Sequence, residues 1–508
     1  IVLPAPTTNL GNGGTLMMAL GARDPTTLDP ALASDTGSAF LIRQLFTGLT
    51  RLDSNLEVQP DMAESWQISP DGRTYTFTLR KDARFADGRQ ITSADVIYSL
   101  ERATDPHLAE SLPAATYLGD IVGVREKIVG QADHIAGLDA PDDLTLVITI
   151  DAPKSYFLAK LAHPSSYVVD RHAVESAGTG DWTEHPNGSG PFEIEQWDHD
   201  QLLVLKRNVN FYRDLPKLDR VRFLIGAAAS NPMVLYEQGE IDVTDVPTYA
   251  LARARDASSA LAKELRQLPQ LSFFYLGLNV TLPPFDDPLV RQAFALLIDR
   301  AKVAAVSLDG SAQAAWGILP PGMPGYDPQL PEVQPEIAQV KSLLAASRYG
   351  GADRLPLIVA YGSWAGLLRE VAHDELGIEI EVRGYEDYGS YLNALNQSQF
   401  QIYGSGWVAD YPDPQNFVDV LFRGGSGENH TGYNNPQVDA LLDQAAVAQD
   451  EATRLDLYRQ AERQIIADAP VIPLYHGIAY MLVKPYVQGL EITPMGILDL
   501  STVELARR

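Results

Sequence analysis

Cysteine is missing from all 508 residues of the chain. Its absence excludes disulfides, thiolate metal sites and cysteine nucleophiles together. It permits export without requiring it. A run of about 18 apolar residues is also missing, which excludes a membrane-spanning helix. Positive charge is in short supply: 39 Lys and Arg stand against 66 Asp and Glu, a formal net charge of −27. Such a surface repels phosphate backbones, so no nucleic acid is expected as a partner. The acidic excess names no ligand by itself, because solubility accounts for it.

Catalytic and metal signatures are equally sparse. No His-Glu-x-x-His motif occurs, and His373-Asp374-Glu375 lacks the second histidine. Tyr361-Gly362-Ser363-Trp364-Ala365-Gly366 has the wrong spacing for a nucleophile elbow. There is no phosphate loop, and the nine histidines are scattered. Asp198-His199-Asp200 reads as a solvated turn. No cofactor, metal or catalytic residue is therefore expected. Acidic pairs are plentiful, which leaves a carboxylate-based hydrolase as the alternative of another class.

What is present is a chain too long for one ordinary core, so two or three domains are expected. Residues 1–12 open IVLPAPTTNL, rich in Pro, Thr and Asn, the composition of an exposed tether. They have neither the basic start nor the apolar core of a signal peptide, which points to a mature chain whose signal was left out. Ser69-Pro70-Asp71-Gly72 is a turn signal, and the alternation from Thr74 to Leu79 predicts a half-buried strand after it. A second turn falls at Asp87-Gly88, and Thr92 or Ser93 caps a helix to about Arg102. A turn at Ala140–Asp143 precedes a strand over Leu144–Ile150. Gly188–Pro191 makes a tight loop before a hairpin of Phe192–Trp197 with Leu202–Lys206.

Asp287 caps a helix with Pro288 at its first position, and Val290, Phe294, Leu297 and Ile298 share one face. Further helices start at Pro436 and Glu451, the latter running to about Ala467. Strands and helices mix throughout, which argues for an α/β (mixed α+β) fold. No long low-complexity linker separates them, so lobes joined by short crossovers suit the chain better than beads on a string.

Six stretches in this order carry a resemblance: VQPDMAESWQISPDGRTYTFTLRKDARFADGRQITSADVIYSLERATDP at 58–106, GSGPFEIEQW at 188–197 and YRDLPKLDRVRF at 212–223, then FDDPLVRQAFALLIDRAKV at 285–303, GWVADYPDPQNF at 406–417 and APVIPLYHGIAYMLVKP at 469–485. Together they resemble the extracellular solute-binding proteins of family 5, the peptide, nickel and opine class that serves ATP-driven (ABC) importers. The resemblance covers about Gly14 to Leu505. It implies a two-lobed periplasmic-binding-protein-like fold whose lobes close over ligand. Lobe I would take residues 13–270 and 476–508, with a subdomain inserted at roughly 48–165, and lobe II residues 271–475. Hinges would lie near Gln270–Tyr275 and Pro470–Tyr475. The implied location is extracytoplasmic, with a lipid anchor on a preceding segment. The implied partners are a peptide or small-molecule ligand and a membrane permease, with the protein itself a monomer.

The resemblance also implies site residues. Asp410 would pair with a ligand's α-amine, because a buried ammonium needs a carboxylate to offset its lost hydration. On the residues alone, a cap on the turn before Pro412 is the simpler role for Asp410. Trp407 would wall a side-chain pocket, with core packing the alternative. Gly406 would let a ligand backbone approach closely, beside Tyr411. Tyr475 and His476 lie on the return crossover, and Tyr275 and Asn279 by the first one. Trp364 and Tyr361 follow a predicted strand at Leu357–Ala360. Ser34, Asp35 and Thr36, with Gly37, match a lobe I loop that borders ligand. For each of these secondary positions, packing or a satisfied turn is the competing role. Oligopeptide is the leading ligand. An oligosaccharide, opine or metal chelate is the alternative within the same fold.

Overall fold

The computed structural model describes residues 13–109, 112–177, 181–362, 364–385, 388–397 and 399–506. The expected tether at 1–12 lies outside them. The chain forms two compact units, Ile1–Leu268 with Tyr480–Arg508, and Pro269–Ala479.

Unit 1 begins with β1 (Thr15–Gly21), α1 (Thr36–Leu45), β2 (Thr50–Leu52) and β3 (Val58–Pro60). A hairpin follows, β4 (Ala63–Ile68) with β5 (Thr74–Leu79), then α2 (Ser93–Ala103). The expected Ser69–Gly72 turn joins the two strands. The Gly72 N–H donates to the Ser69 carbonyl at 2.8 Å, and a φ of +70° explains the glycine. Thr92 caps α2 as expected, its N–H and hydroxyl both donating to the Asp95 carboxylate at 2.9 and 3.0 Å.

β6 (Leu138–Asp142) and β7 (Thr145–Thr149) complete a four-stranded sheet of order β4-β5-β7-β6. Tyr75, Phe77, Leu79, Leu146 and Ile148 bury against Val96 and Leu100 of α2. The turn expected at Ala140–Asp143 is narrower in the structure. Ala140–Asp142 belongs to β6, with a register shift between Asp139 and Asp142. Pro141 has no N–H to give a ladder, and an irregular edge strand accepts it.

The second sheet of unit 1 uses β8 (Phe192–Asp198), β9 (Leu202–Arg207), β10 (Arg220–Ile225) and β11 (Val243–Asp245). β1 runs parallel to β10 and β11, while β9 pairs antiparallel with β8 and β10. Period-2 alternation serves both faces. Leu16, Met18, Val221 and Phe223 pack with Leu41, Ile42 and Leu45 of α1. Leu224 on the other face packs with Met233 and Tyr236. The turn at Asp198–Asp200 is tied down rather than merely solvated: His199 lies 2.7 Å from Asp24 and 3.1 Å from Glu184.

Unit 2 holds β12 (Ser272–Leu278), α3 (Pro288–Ala295), β13 (Ala312–Ala314), β14 (Ile358–Tyr361), α4 (Ala365–Leu376), β15 (Ile380–Arg383), β16 (Ile402–Val408), α5 (Pro436–Val447) and α6 (Glu451–Asp468). Its last strand, β17 (Val471–Val483), runs on past Ala479, where unit 2 ends. The order is β15-β14-β16-β12-β17, with β13 also on β17. Leu276, Leu278, Ile402 and Ile472 bury beneath Val290, Phe294, Leu368 and Ala372. Asp287 caps α3 by accepting the Leu289 N–H at 2.9 Å. The helix stops at Ala295, so Leu297 and Ile298 reach the core from beyond it. The chain passes between the units after Leu268 and after Ala479. The segments expected as hinges, 270–275 and 470–475, meet inside unit 2 at two positions, Phe274 opposite Tyr475 and Tyr275 opposite Pro473.

One buried charge group in unit 1 is exposed to test. Asp120 lies 2.6 Å from the Lys154 ammonium and 2.7 Å from that of Lys160, all three buried. Burial opposes its charge, but the two ammonium groups outweigh burial and hold its carboxyl below the usual range. Asp120→Ala removes the anion of buried Lys160 and leaves buried Lys154 with only the more exposed Asp151. Urea unfolding should show a loss of about 3–5 kcal/mol, as a lower midpoint at unchanged slope.

Candidate ligand-binding site

The stretch after β16 is shaped by two prolines and one buried ion pair. Pro412 and Pro414 interrupt backbone pairing. Asp413 accepts the Gln415 N–H at 3.0 Å. Its two oxygens also take both terminal nitrogens of Arg454 from α6, at 3.1 and 2.8 Å, with both residues buried. This fork-to-fork geometry fixes orientation as well as distance. The chain then turns into a short π-helical segment, Gln415–Asp419.

That turn carries Asn416, which has no solvent exposure. Its Oδ1 accepts the Trp407 indole N–H at 3.1 Å and the Asp410 backbone N–H at 2.9 Å. Its Nδ2 donates to the Asp410 carboxylate at 3.3 Å. A single amide therefore orients the half-buried Trp407 and Asp410 together. Sequence reasoning quoted Asn416 within its motif and gave it no role. An Asx residue placed just after a Pro-x-Pro turn is the signal that was available.

Gly406 has a packing role within the sheet. It sits opposite Phe274 across the β12–β16 ladder. A Cβ on Gly406 would meet two ring atoms of Phe274 at 2.5 Å. Its missing side chain makes room for a phenyl ring of the same sheet, while the residue itself stays exposed.

Phe274 in turn stacks on Tyr475, with ring centroids 4.6 Å apart and planes 12° apart. Trp364 meets Tyr475 edge-on at 5.7 Å and 69°. All three rings are half-buried. Trp364 adopts φ +69° at the start of α4, a left-handed conformation that costs a side-chain-bearing residue free energy. The strain is tolerated where the indole meets Tyr475.

The remaining expected residues divide clearly. Tyr411 is fully buried and donates its hydroxyl to Gln415. Tyr275 is buried, stacked on Phe273 at 4.8 Å, and burial pushes its hydroxyl up to about 12. His476 is buried, with Nδ1 2.8 Å from the Ser272 carbonyl. Burial pushes its pKa down to about 4, so the ring is neutral and donates from Nδ1. Asn279 is buried and closes the turn after β12, accepting the Thr281 N–H at 3.0 Å. Tyr411, His476 and Asn279 thus have polar partners within the fold, and contact of these four residues with ligand belongs to the proposal below. Tyr361 stands in another aromatic group, 4.3 Å from Phe400 and 5.4 Å from Tyr385, and its hydroxyl accepts from Arg383. In unit 1, Asp35 caps α1 by accepting the Ser38 N–H at 2.9 Å, and its Oδ2 has no hydrogen-bond partner. Ser34 and Thr36 beside it are exposed.

A pH-sensitive strut supports this region of unit 2. β13 pairs with Tyr475–Gly477. The chain beyond it is held by Glu462, which has no solvent exposure and accepts the Ile318 and Leu319 N–H groups at 2.6 and 2.8 Å. Burial pushes this carboxyl from 4.5 up to about 7. A folded-state pKa above the unfolded one means the native state binds the extra proton. The stabilising contribution is complete below pH 4.5 and disappears as pH rises through about 7. Thermal midpoints measured across that window should fall with pH by this contribution. Glu462→Gln should flatten the profile, and an unchanged slope in the variant would assign the effect to another group.

Two α/β units joined by two passages of chain, with an oriented carboxylate and indole beside a cluster of aromatic rings, define a solute-binding protein. The model for bacterial extracellular solute-binding proteins, family 5 (middle), matches residues 57–429, and the chain belongs to this family. The probable deoxycholate-binding periplasmic protein YgiS of Escherichia coli (strain K12) is 32% identical over 487 residues, covering 92% of this chain and 89% of that protein. The periplasmic oligopeptide-binding protein OppA of the same strain is 30% identical over 480 residues, covering 91% and 87%. The structure of the E. coli murein tripeptide binding protein MppA superposes with a TM-score of 0.88 at 27% identity, covering 99% of this chain and all of that one. The expected family and the periplasmic-binding-protein-like fold are both borne out. Family and relatives are binding proteins, and their place is outside the cytoplasm.

Proposed function

We propose that the chain captures oligopeptides and delivers them to the membrane permease of an ABC importer. The observation that carries this reading is the Asp410 carboxylate, half-buried beside Trp407 and oriented through Asn416. A fixed, partly desolvated carboxylate suits a ligand's α-ammonium, since the pair offsets the hydration that both lose. The names of OppA and MppA supply the peptide class. A lipid anchor on a segment preceding Ile1 belongs to the same reading and is checked by the mass of the protein extracted from membranes.

A second reading has one observation in its favour. The Phe274, Tyr475 and Trp364 rings offer an apolar surface that a large amphipathic anion, such as the deoxycholate in the name of YgiS, would cover.

Calorimetry separates the two. Asp410→Ala should weaken peptide binding at least tenfold, a loss of about 1.4 kcal/mol or more. N-acetylated peptides should bind the unaltered protein poorly. They should lose little more in Asp410→Ala, because both changes remove one interaction. Costs that simply add would disprove the Asp410–amine contact. Tight deoxycholate binding, with peptides inert, would move the second reading ahead.

A further inference from the structure

A side-chain amide accepts at one end and donates at the other, and its neighbours decide which end faces them. At Asn416 the neighbours leave one choice. The Trp407 indole and the Asp410 backbone N–H can only donate, and both reach the same Asn416 atom, at 3.1 and 2.9 Å. That atom must be the oxygen. The nitrogen is thereby turned to the Asp410 carboxylate, 3.3 Å from Oδ2. Asn416 has no solvent exposure, so water does not compete for either end.

One amide therefore grips Asp410 twice, by its backbone N–H and by its carboxylate. The double contact fixes the side chain relative to its own main chain. It also ends in a donor, which complements negative charge. Asn416 is held in turn. Its backbone N–H donates to the Asp413 carbonyl at 3.0 Å, and the Asp413 carboxylate is clamped by Arg454. The grip thus reaches from the half-buried Asp410 to the buried side of α6 through contacts of measured geometry at every step.

We propose that Asn416 is the positioning residue that lets the site select a charged amine over a neutral group. This role rests on the Asp410–amine contact proposed above and explains why that contact discriminates. A carboxylate already fixed in one rotamer meets an ammonium without further ordering, whereas a loose one must be ordered on binding. A neutral ligand end gains much less from the carboxylate's charge, so the loss of Asn416 falls mainly on the charged ligand. Trp407 is shaped by the same contact. Its indole N–H is taken by Asn416, so it offers a ligand its ring and no hydrogen bond.

The test is calorimetry on the full chain with one peptide in two forms, amine free and amine acetylated. In the unaltered protein the acetylated form should bind more weakly by about tenfold or more. Asn416→Ala should shrink that ratio by about two- to tenfold, the cost of ordering one side chain on binding, chiefly by weakening the free-amine form. A role confined to folding would weaken both forms alike and leave the ratio where it was. Should Asn416→Ala show no folded state by its thermal midpoint, Trp407→Phe is the second variant. It keeps a ring, removes one of the two donors that fix the amide, and should also lower the ratio. A ratio unchanged in whichever variant folds overturns the proposal and leaves the Asp410 contact standing. A ratio near one in the unaltered protein overturns the Asp410 contact, and this role of Asn416 with it.

Discussion

The arrangement of Trp407 and Asp410 in unit 2 depends on one buried amide. Asn416 satisfies the Trp407 indole, the Asp410 N–H and the Asp410 carboxylate at once. It can do so only because the turn that presents it is rigid, and the Asp413–Arg454 pair supplies that rigidity. A fully desolvated carboxylate–guanidinium pair adds little net stability, but it fixes geometry strongly, since either partner alone would be a buried unpaired charge. The arrangement is layered: an ion pair orders a turn, the turn orders an amide, and the amide orders a carboxylate. An exposed Asp without that backing would lose rotamer freedom on meeting a cation, and the contact would be weaker for it.

The general architecture was legible because it rests on local rules. Asp287-Pro288 capped a helix, Ser69–Gly72 closed a hairpin and Thr92 joined Asp95 in a capping box, all decided within a few residues of chain. Where the reading slipped, a long-range partner decided the outcome. Ala140–Asp142 joined an edge strand because β7 was there to pair with it. The packing role of Gly406 could not be read either: the space its Cβ would fill holds Phe274, some 130 residues away in the chain and adjacent only across the ladder.

The same division runs through the site. Asp410 and Trp407 were singled out because they lie in a motif, and the structure joins both to Asn416. Tyr411 was drawn in by the same motif, and Tyr275, His476 and Asn279 by their nearness to the crossovers. Sequence proximity cannot report that their polar atoms already have partners inside the fold. His476 shows the cost most plainly: an imidazole beside a ligand strand looks functional, but one hydrogen bond to Ser272 and near-complete burial keep it neutral. Asn416 was overlooked for the opposite reason. Its importance is entirely in what it touches, and its residue type is common in loops.

Charge and aromatic surface divide the labour of recognition in different ways. A carboxylate demands a donor or cation at one defined point and rejects a ligand that lacks it, since the pair's hydration is then lost without return. Aromatic faces demand only apolar area, and many groups supply it. On the reading proposed above, the directional element is Asp410 and the tolerant one the rings of Phe274, Tyr475 and Trp364. The strained backbone of Trp364 fits this division. Strain persists where the surroundings over-determine a residue, and a fixed indole holds its neighbour Tyr475 in one pose at no further entropic cost when ligand arrives. A surface of this kind is selective at one end and permissive elsewhere, as a receptor for a class of ligands needs to be.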